Sequence, residues 1–277
     1  MAEDPVTLKR RERLARLVRD PKADLIEVAL LISAEADPDL NVDLCMLKVD
    51  ALADGLRTRG FPAHDPEAAA AALAGYLGGE LGFQGDRVRY YDPANCLLPD
   101  VLARRRGMPI MLSVLYVGVA RRLRAHAFPI ALPGHVVVGV GSELPPVVLD
   151  AFEEGRRCSE QDLAQIVARA SAGRTPFHRA MLRPAPTPAI AQRILENLGR
   201  DYRSASDAMG ALWTVECKML LPGARNDLHR ERGDLLIALG RWHDGALALD
   251  DYLELHEDAE DFLEVQLRAR RARARMN

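Results

Sequence analysis

The most apolar stretch of the chain is residues 109–123, PIMLSVLYVGVARRL, where apolar side chains fall on every side of a helical wheel. A helix that is apolar all round is buried inside a domain, and one of this length is too short to span a bilayer. Pro109 suits the first position of a helix, and the arginines near the end suit a helix C-terminus. The pattern therefore predicts a central core helix.

Helical apolar spacing also marks three segments that precede this helix. The first begins near Leu25 and stops at Asp37-Pro38, because a residue before proline is pushed out of the helical region. The second covers residues 42–56, and the third, rich in alanine, covers residues 67–77. In the second helix the expected apolar positions are Leu44, Leu47, Leu52 and Leu56. These segments predict a helical N-terminal module over residues 1–80.

The middle of the chain changes from helical spacing to turns and β-branched runs. Residues 82–99 are rich in turn formers and predict a loop with one short strand at 88–90, followed by a short helix at 99–105. The runs at 136–140 and 147–149 predict an antiparallel pair of strands, with a third strand at 128–132. A helix at 158–170 and a proline-rich linker at 171–188 are expected to follow.

The C-terminal part is helical and contains an internal repeat. Aligning Asn197-Leu198-Gly199 with Glu231-Arg232-Gly233 gives a period of 34 residues, which is the period of tetratricopeptide repeats. The match is partial, since Gly245 stands at the small-residue position of the second unit. The five arginines after Leu267 are interpreted as a solvated helix end, with a nucleic-acid contact as the alternative.

Charge and composition narrow the function classes. The net charge is −3 and the pI is near 6.2, whereas a dedicated nucleic-acid binder usually has a basic domain. No stretch resembles a signal peptide or a membrane span, so we expect a cytoplasmic protein with no membrane partner. The four cysteines are scattered and form no CxxC pair, which favours reduced thiols. No histidine pair has metal-ligand spacing, so we expect no metal site and no cofactor.

One histidine and one aspartate are candidates for chemistry. His135 begins a predicted strand and Asp150 ends the next, so a hairpin would place the carboxylate beside the imidazole. A carboxylate that fixes the tautomer of a histidine is the base half of a nucleophilic triad. Both residues also have a structural interpretation: a buried, hydrogen-bonded histidine, and an aspartate that caps the turn before Phe152. Ser113, one turn inside the core helix, is expected to bond a carbonyl rather than attack a substrate.

Several motifs resemble a known family. Gly107 before a buried helix, then His135 and then Asp150, resemble the transglutaminase-like superfamily, whose cysteine lies at that helix start. The segments DPANCLLPDVLARRRGMPIMLSVLY, LPGHVVV and LDAFEEG are similar to the bacterial SirB-type branch of that superfamily, which has a tetratricopeptide tail. The resemblance covers about residues 23–255 and implies an α+β fold with a transglutaminase-like, or papain-like, core.

Only some of the family's site residues have a counterpart in this sequence. His135 and Asp150 match the histidine and aspartate of the superfamily, but the cysteine position falls at Met108 and Pro109, neither of which is a nucleophile. Cys96 stands where the family has serine, so it is either a neutral replacement or a displaced nucleophile. The resemblance further implies that the site is lined by Asn95, Arg106, Gly107, Pro109 and Gly134. The arginine triplet at 104–106 is interpreted as a solvated or ion-paired face, with an anion-binding site near the helix start as the alternative.

The sequence therefore predicts three domains and one leading function. The domains are a helical module (1–80), a transglutaminase-like core (81–175) and tetratricopeptide-like hairpins (189–277). The leading hypothesis is a protein-interaction or regulatory protein with little or no acyl-transfer activity, and with a protein or peptide partner. The family resemblance also implies regulation of sirC expression, which we expect to act through protein contacts. The alternative is a cysteine-type transglutaminase, protease or amidase that uses Cys96 with His135 and Asp150. The oligomeric state is left open.

Overall fold

The structure is a computed structural model that describes residues 4–142 and 144–275. The helices in this part of the chain are α1 (Pro5–Leu17), α2 (Leu25–Ala36), α3 (Val42–Arg57), α4 (Pro66–Leu73), α5 (Leu98–Arg104), α6 (Pro109–Arg122), α7 (Glu160–Ala170), α8 (Thr187–Ser204), α9 (Ala208–Met219), α10 (Leu228–Ala238), α11 (Trp242–Leu255) and α12 (Phe262–Ala274). The strands are β1 (Gln84–Gly85), β2 (Arg106–Gly107), β3 (Ala127–Leu132), β4 (His135–Val140), β5 (Val147–Asp150) and β6 (Arg156–Arg157). This combination confirms the α+β class.

The chain forms two compact units. Of the described residues, one unit comprises residues 16–142 and 144–194 and contains both sheets, and the other comprises residues 4–15 together with residues 195–275. Residues 16–80 thus lie in the same unit as the segment that follows them, and α1, up to residue 15, lies in the unit of the C-terminal helices. The three predicted domains stay a prediction.

The central core helix lies where the hydrophobic pattern predicts it. Helix α6 begins at Pro109, and every residue from Pro109 to Ala120 is buried. It packs against α2 and α3 on one side and against β3 and β4 on another. Gly118 allows the contact with α2, because a Cβ at this position would overlap the side chain of Ile26. The sheet is therefore built directly on the buried helix.

The larger sheet has four antiparallel strands in the order β3-β4-β5-β6. The register pairs Leu132 with His135 across the first turn and Val138 with Leu149 across the second hairpin. The three predicted strands are confirmed. Strand β6 is an addition: it pairs Asp150 with Arg156, because the chain reverses through Glu154 and Gly155, both in the left-handed region.

The predicted apolar face of α3 is wrong in part. Leu44 is 50% exposed and Leu47 is 62% exposed, whereas Leu56 is buried. The buried positions of this helix are Cys45, Val49, Ala53 and Leu56. These positions recur every three or four residues, whereas the predicted leucines are spaced by three, five and four residues. The predicted leucines lie partly on a neighbouring face of the same helix. A prediction based only on large apolar side chains therefore identified the wrong buried face.

Two other predicted segments differ in the structure. Residues 88–90 form no strand, and Val88 is 95% exposed; the short strand lies at β1 instead, where it pairs in parallel with β2. The composition of residues 171–188 predicts a linker, but part of this segment packs against the four-stranded sheet. Leu182 is buried in an apolar cluster that includes Phe128 and Val167. The main-chain N–H of Ala185 donates to the main-chain oxygen of Pro129 on β3.

The C-terminal helices form hairpins at a regular spacing. Helices α9 and α11 begin 34 residues apart, and so do α10 and α12. Where α10 and α11 cross, a Cβ at Gly233 would lie 3.1 Å from the main-chain oxygen of Gly245, so the two backbones are in close contact. Three of the terminal arginines have partners: Arg268 pairs with Asp234, Arg273 pairs with Asp250, and Arg275 lies over the ring of Trp242.

No helix in the described ranges combines the length and the apolar character that crossing a membrane requires.

Candidate functional site

The hairpin of β4 and β5 brings His135 and Asp150 together. His135 opens β4 and Asp150 closes β5, so the register that pairs Val138 with Leu149 places both near the same end of the hairpin. The Nε2 atom of His135 lies 3.0 Å from each carboxylate oxygen of Asp150. The aspartate side chain is 4% exposed and the histidine side chain is 17% exposed. The buried carboxylate of Asp150 therefore holds the half-buried imidazole ring of His135.

The carboxylate of Asp150 is held from two sides. Its Oδ1 also accepts the main-chain N–H of Phe152 at 3.0 Å, so Asp150 caps the short 3₁₀ turn Ala151–Glu153 as well as orienting His135. An ionised carboxylate only accepts hydrogen bonds, so a neutral His135 donates from Nε2 and carries its free lone pair on Nδ1. Neither ring nitrogen has another protein partner among residues 4–142 and 144–275. The pair is thus arranged as a base with a fixed tautomer.

A pocket of about 400 Å³ opens in front of this pair. Its walls come from the loop after β1, from the open end of the β4–β5 hairpin, from the short turn that follows β5, from β6 and from the last turns of α7. The lining residues are Arg87, Gly134, His135, Asp150, Phe152, Glu153, Arg156, Ile166, Arg169 and Ala170. Phe152 forms the aromatic side: its ring lies edge-on to His135, with centroids 6.2 Å apart, and under the guanidinium of Arg87.

The nearest thiol to Asp150 in sequence is Cys158, and it is held neutral. Its Sγ lies 3.7 Å from the main-chain oxygen of Arg156, and the residue is buried in the apolar cluster beneath the sheet. Burial raises the pKa of the Cys158 thiol to about 12, and the charge of Asp150 adds to the rise. A thiolate, and not a thiol, is the nucleophile, so Cys158 is not activated.

Cys96 is completely buried. Its Sγ lies 3.0 Å from the Sδ of Met108, the residue immediately before helix α6, and it is not among the residues that line the pocket. The thiol is therefore close to the helix start where the resemblance implies a nucleophile, but it lies beneath the surface. A substrate would reach it only after this region opened.

The start of α6 itself offers no nucleophile. Met108 and Pro109 are both buried, and the main-chain N–H of Met108 donates to the main-chain oxygen of Asn95. Ser113, one turn later, is fully buried and donates its hydroxyl to the main-chain oxygen of Val136 on β4 at 3.1 Å. The hydroxyl bonds a carbonyl, as expected, and the bond ties the core helix to the strand that carries His135.

Asn95 organises the loop before α5. It is fully buried, donates its amide to the main-chain oxygen of Arg89, and accepts from Arg104 at 3.1 Å. Gly107 lies against this loop, because a Cβ there would lie 2.9 Å from a methyl group of Val101 and 3.3 Å from the oxygen of Asn95. The DPAN segment thus fixes the chain that leads into α6.

The arginine triplet at 104–106 is engaged with the protein. Arg104 bonds Asn95, Arg105 donates to the main-chain oxygen of Leu81, and Arg106 donates to the main-chain oxygen of Gly82. Of the residues expected to line the site, only Gly134 joins His135 and Asp150 at the pocket; Asn95, Arg106, Gly107 and Pro109 do not line it. The functional role of these four residues stays a prediction.

Sequence reasoning missed the arginines of the pocket, Arg87, Arg156 and Arg169. One signal was available for Arg156, because the turn after Asp150 reverses the chain and places Arg156 directly opposite Asp150 on β6. No such local signal exists for Arg169 or Arg87, which reach the pocket from the end of α7 and from the loop after β1. Across the described ranges, no three His, Cys, Asp or Glu side chains are grouped so as to hold a metal ion.

Comparison with known proteins agrees with the resemblance to the transglutaminase-like superfamily. Residues 45–196 match the family model described as the transglutaminase-like superfamily. A UPF0162 protein of Xylella fastidiosa is 32% identical over 86% of each chain, and one of Pseudomonas aeruginosa is 30% identical over 71% of each chain. The human F-box only protein 21 is 30% identical over 98 residues, which are 32% of this chain and 16% of that protein.

No solved structure gives a significant match. The family model covers more than half of the chain, and it spans the core helix, the sheet, His135 and Asp150. The chain therefore belongs to the transglutaminase-like superfamily and, by its relatives, to the UPF0162 proteins within it.

Proposed function

We propose that this protein is a protein-interaction or regulatory protein built on a transglutaminase-like scaffold, with little or no acyl-transfer activity. One observation carries the proposal. Among the described residues that line the pocket in front of His135, none is cysteine, serine or threonine. Acyl transfer through a covalent intermediate requires a nucleophile within hydrogen-bond reach of the base. The pocket has a base and its orienting carboxylate, but it has no such partner for them.

The start of α6 supports the same proposal. A thiolate is stabilised at a helix N-terminus because the helix dipole favours negative charge there. In this chain Met108 and Pro109 occupy that place, and both are buried. In this proposal His135 and Asp150 bind and orient a partner: the carboxylate fixes the ring, and the ring presents one nitrogen to the pocket.

The C-terminal helices are proposed to be tetratricopeptide-like repeats that contact a partner protein. Support comes from the spacing of 34 residues between equivalent helix starts and from the close crossing at Gly233 and Gly245. Helical hairpins of this type present concave surfaces to extended peptides. A cytoplasmic regulator of sirC expression would then act through protein contacts.

A cysteine-type transglutaminase, protease or amidase is the second candidate, because one observation favours it. The Sγ of Cys96 lies 3.0 Å from the Sδ of Met108, so a thiol is present close to the start of α6. If the loop that carries Cys96 opened, the thiol would become available for attack, with His135 as base. The burial of Cys96 weighs against this candidate.

The two candidates are separated by a turnover experiment. Purified protein is assayed for ammonia release from a glutamine peptide with a primary amine, and for hydrolysis of amide and ester substrates. The variants are His135→Ala, Cys96→Ser and, as a matched control, Cys217→Ser, which replaces a buried thiol in the other unit. The proposal predicts no turnover by the wild type above that of either site variant.

Turnover that is lost in both His135→Ala and Cys96→Ser, and kept in Cys217→Ser, would contradict the proposal and establish the cysteine enzyme. An alkylating probe gives a second readout. Selective labelling of Cys96 at neutral pH that disappears in His135→Ala would also overturn it, whereas labelling of Cys96 only after denaturation supports it.

A further inference from the structure

We propose that the pocket in front of His135 binds a carboxylate of a peptide, and that Arg169 provides the main cationic contact. This inference rests on the proposed function, because it takes the same pocket as the place where a partner is bound. It adds the chemical class of the bound group and the residue that selects it. The argument depends on the charges around the pocket, on their existing partners and on its apolar walls.

The charged lining is dominated by guanidinium groups. Arg87, Arg156 and Arg169 stand against the two carboxylates of Asp150 and Glu153. The carboxylate of Asp150 already accepts hydrogen bonds from His135 and from the N–H of Phe152. Glu153 is committed to Arg87, with which it forms an ion pair. Both acidic groups of the lining thus already have partners, and the three arginines leave a net positive charge on the lining.

Arg169 is the cation without a protein partner. Arg87 pairs with Glu153, and Arg156 pairs with Asp162 at 2.8 Å. Throughout residues 4–142 and 144–275, the side chain of Arg169 has no hydrogen bond and no ion pair, although the residue lines the pocket. It lies in the last turn of α7, so the side chain starts from a rigid element. A guanidinium in this position can bind an incoming anion without first losing a partner.

The other walls suit a peptide rather than a bare ion. Ile166 and Ala170 lie on the same helix as Arg169 and give an apolar side, while Phe152 gives an aromatic one. A volume of about 400 Å³ holds far more than a carboxylate group. His135 adds a polar group that can bond a peptide amide. The pocket therefore combines one free guanidinium with apolar surface, which matches a short peptide segment that carries a negative charge.

A carboxylate fits this lining better than a phosphate does. Arginine binds both groups through two parallel N–H bonds. A phosphate monoester carries a charge of about −1.5 to −2 at neutral pH, and Asp150 and Glu153 would repel a second charge more strongly than a first. The carboxylate can come from a free C-terminus or from an acidic side chain, and the two sources are distinguished by experiment.

The test uses fluorescence polarisation with the full chain and a dye-labelled hexapeptide of alanine and leucine. The peptide is made with a free C-terminal carboxylate, with an amidated C-terminus and one internal glutamate, and with an amidated C-terminus and no acidic group. We expect one of the charged forms to bind about tenfold or more tightly than the neutral form, because a charge-assisted bond is worth about that much. The binding should weaken as salt is added.

The role of Arg169 is tested with the substitution Arg169→Gln, and Arg183→Gln is the matched control. Arg183 is also exposed, lies in the same unit and has no partner among the described residues, but it does not line the pocket. We expect Arg169→Gln to weaken binding of the charged peptide about tenfold, and Arg183→Gln to change it less than about twofold. Arg169→Lys should restore part of the affinity, because the charge returns without the planar fork.

Several results would overturn the inference. These are equal binding of charged and neutral peptides, equal effects of Arg169→Gln and Arg183→Gln, competition by inorganic phosphate at concentrations where acetate does not compete, and no binding of any form. Neutral-peptide binding that disappears in His135→Ala would refute the carboxylate while leaving the proposed interaction function in place. Cys96-dependent turnover would refute the proposed function even if the charged peptide still bound through Arg169.

Discussion

The Nε2 atom of His135 lies 3.0 Å from both carboxylate oxygens of Asp150, at a pocket that has no cysteine, serine or threonine among its described lining residues. The aspartate is almost completely buried and bonds the N–H of Phe152 as well. The pair therefore has a structural role that does not depend on catalysis: it joins the end of β5, the turn after it and the start of β4.

Asp150→Ala should destabilise the protein strongly. The substitution removes the acceptor for His135 and for the N–H of Phe152 inside the fold, and we expect the free energy of unfolding to fall by about 2–4 kcal/mol. Asp150→Asn should cost less, because its amide oxygen still accepts a hydrogen bond. Urea denaturation followed by circular dichroism measures the effect. Glu153→Gln, at a partly exposed ion pair, is the control and should cost less than about 1 kcal/mol.

Stability should decrease at high pH in a way that depends on Cys158. The pKa of its thiol is raised from 9.0 to about 12 by burial and by Asp150. Between these values the unfolded chain loses the proton while the folded chain keeps it, so the stabilising contribution is present below pH 9.0 and is lost as the pH rises toward 12. The free energy of unfolding should therefore fall more steeply in the wild type than in Cys158→Ala. Parallel slopes above pH 9.0 would contradict the raised pKa.

Gly78→Ala should destabilise the protein and Gly75→Ala should not, although both glycines lie in the π-helical segment Ala74–Glu80. A Cβ at Gly78 would overlap the main-chain oxygen of Glu154, next to the turn that leads into β6. We expect a loss of about 1–3 kcal/mol in the free energy of unfolding. Nothing lies within 4 Å of a Cβ at Gly75, so this change should be neutral or stabilise by about 0.5–1 kcal/mol. Thermal melts of the two variants side by side test the pair.

Gly245→Ala tests the close crossing of α10 and α11. Helix propensity alone predicts a gain of about 1 kcal/mol, but the added Cβ would lie 2.6 Å from Ile237 and 3.1 Å from the main-chain oxygen of Gly233. We expect a net loss of about 1–2 kcal/mol. Both tryptophans, Trp213 and Trp242, lie in this unit, so their fluorescence follows its unfolding.

Leu247→Ala is the matched control for the crossing, since Leu247 lies on the same helix and is 50% exposed. It should change the free energy of unfolding by less than about 0.5 kcal/mol. A stabilised Gly245→Ala variant would show that the two helices separate easily at this point, and would argue against a fixed repeat geometry.

Local patterns predicted most of the elements in residues 16–194. The all-apolar run identified α6, because a helix that is apolar on all sides is stable only when it is buried inside a domain. The β-branched runs identified β3, β4 and β5. The position of His135 and Asp150 at one end of a hairpin also followed from strand order. Burial of particular faces did not follow: α3 turns Cys45 and Val49 inward and leaves Leu44 exposed.

The sequence by itself determined where most helices and the three longer strands form, because their periods and end signals are local properties of the chain. Tertiary structure alone decided which residues share the pocket. Arg87, Arg156 and Arg169 come from three separate elements, and their meeting at His135 depends on how those elements pack. It also decided that most of α1 lies in one unit with the C-terminal helices, where Arg11 pairs with Glu216. Contacts between residues distant in sequence depend on the whole packed core, which no local pattern encodes.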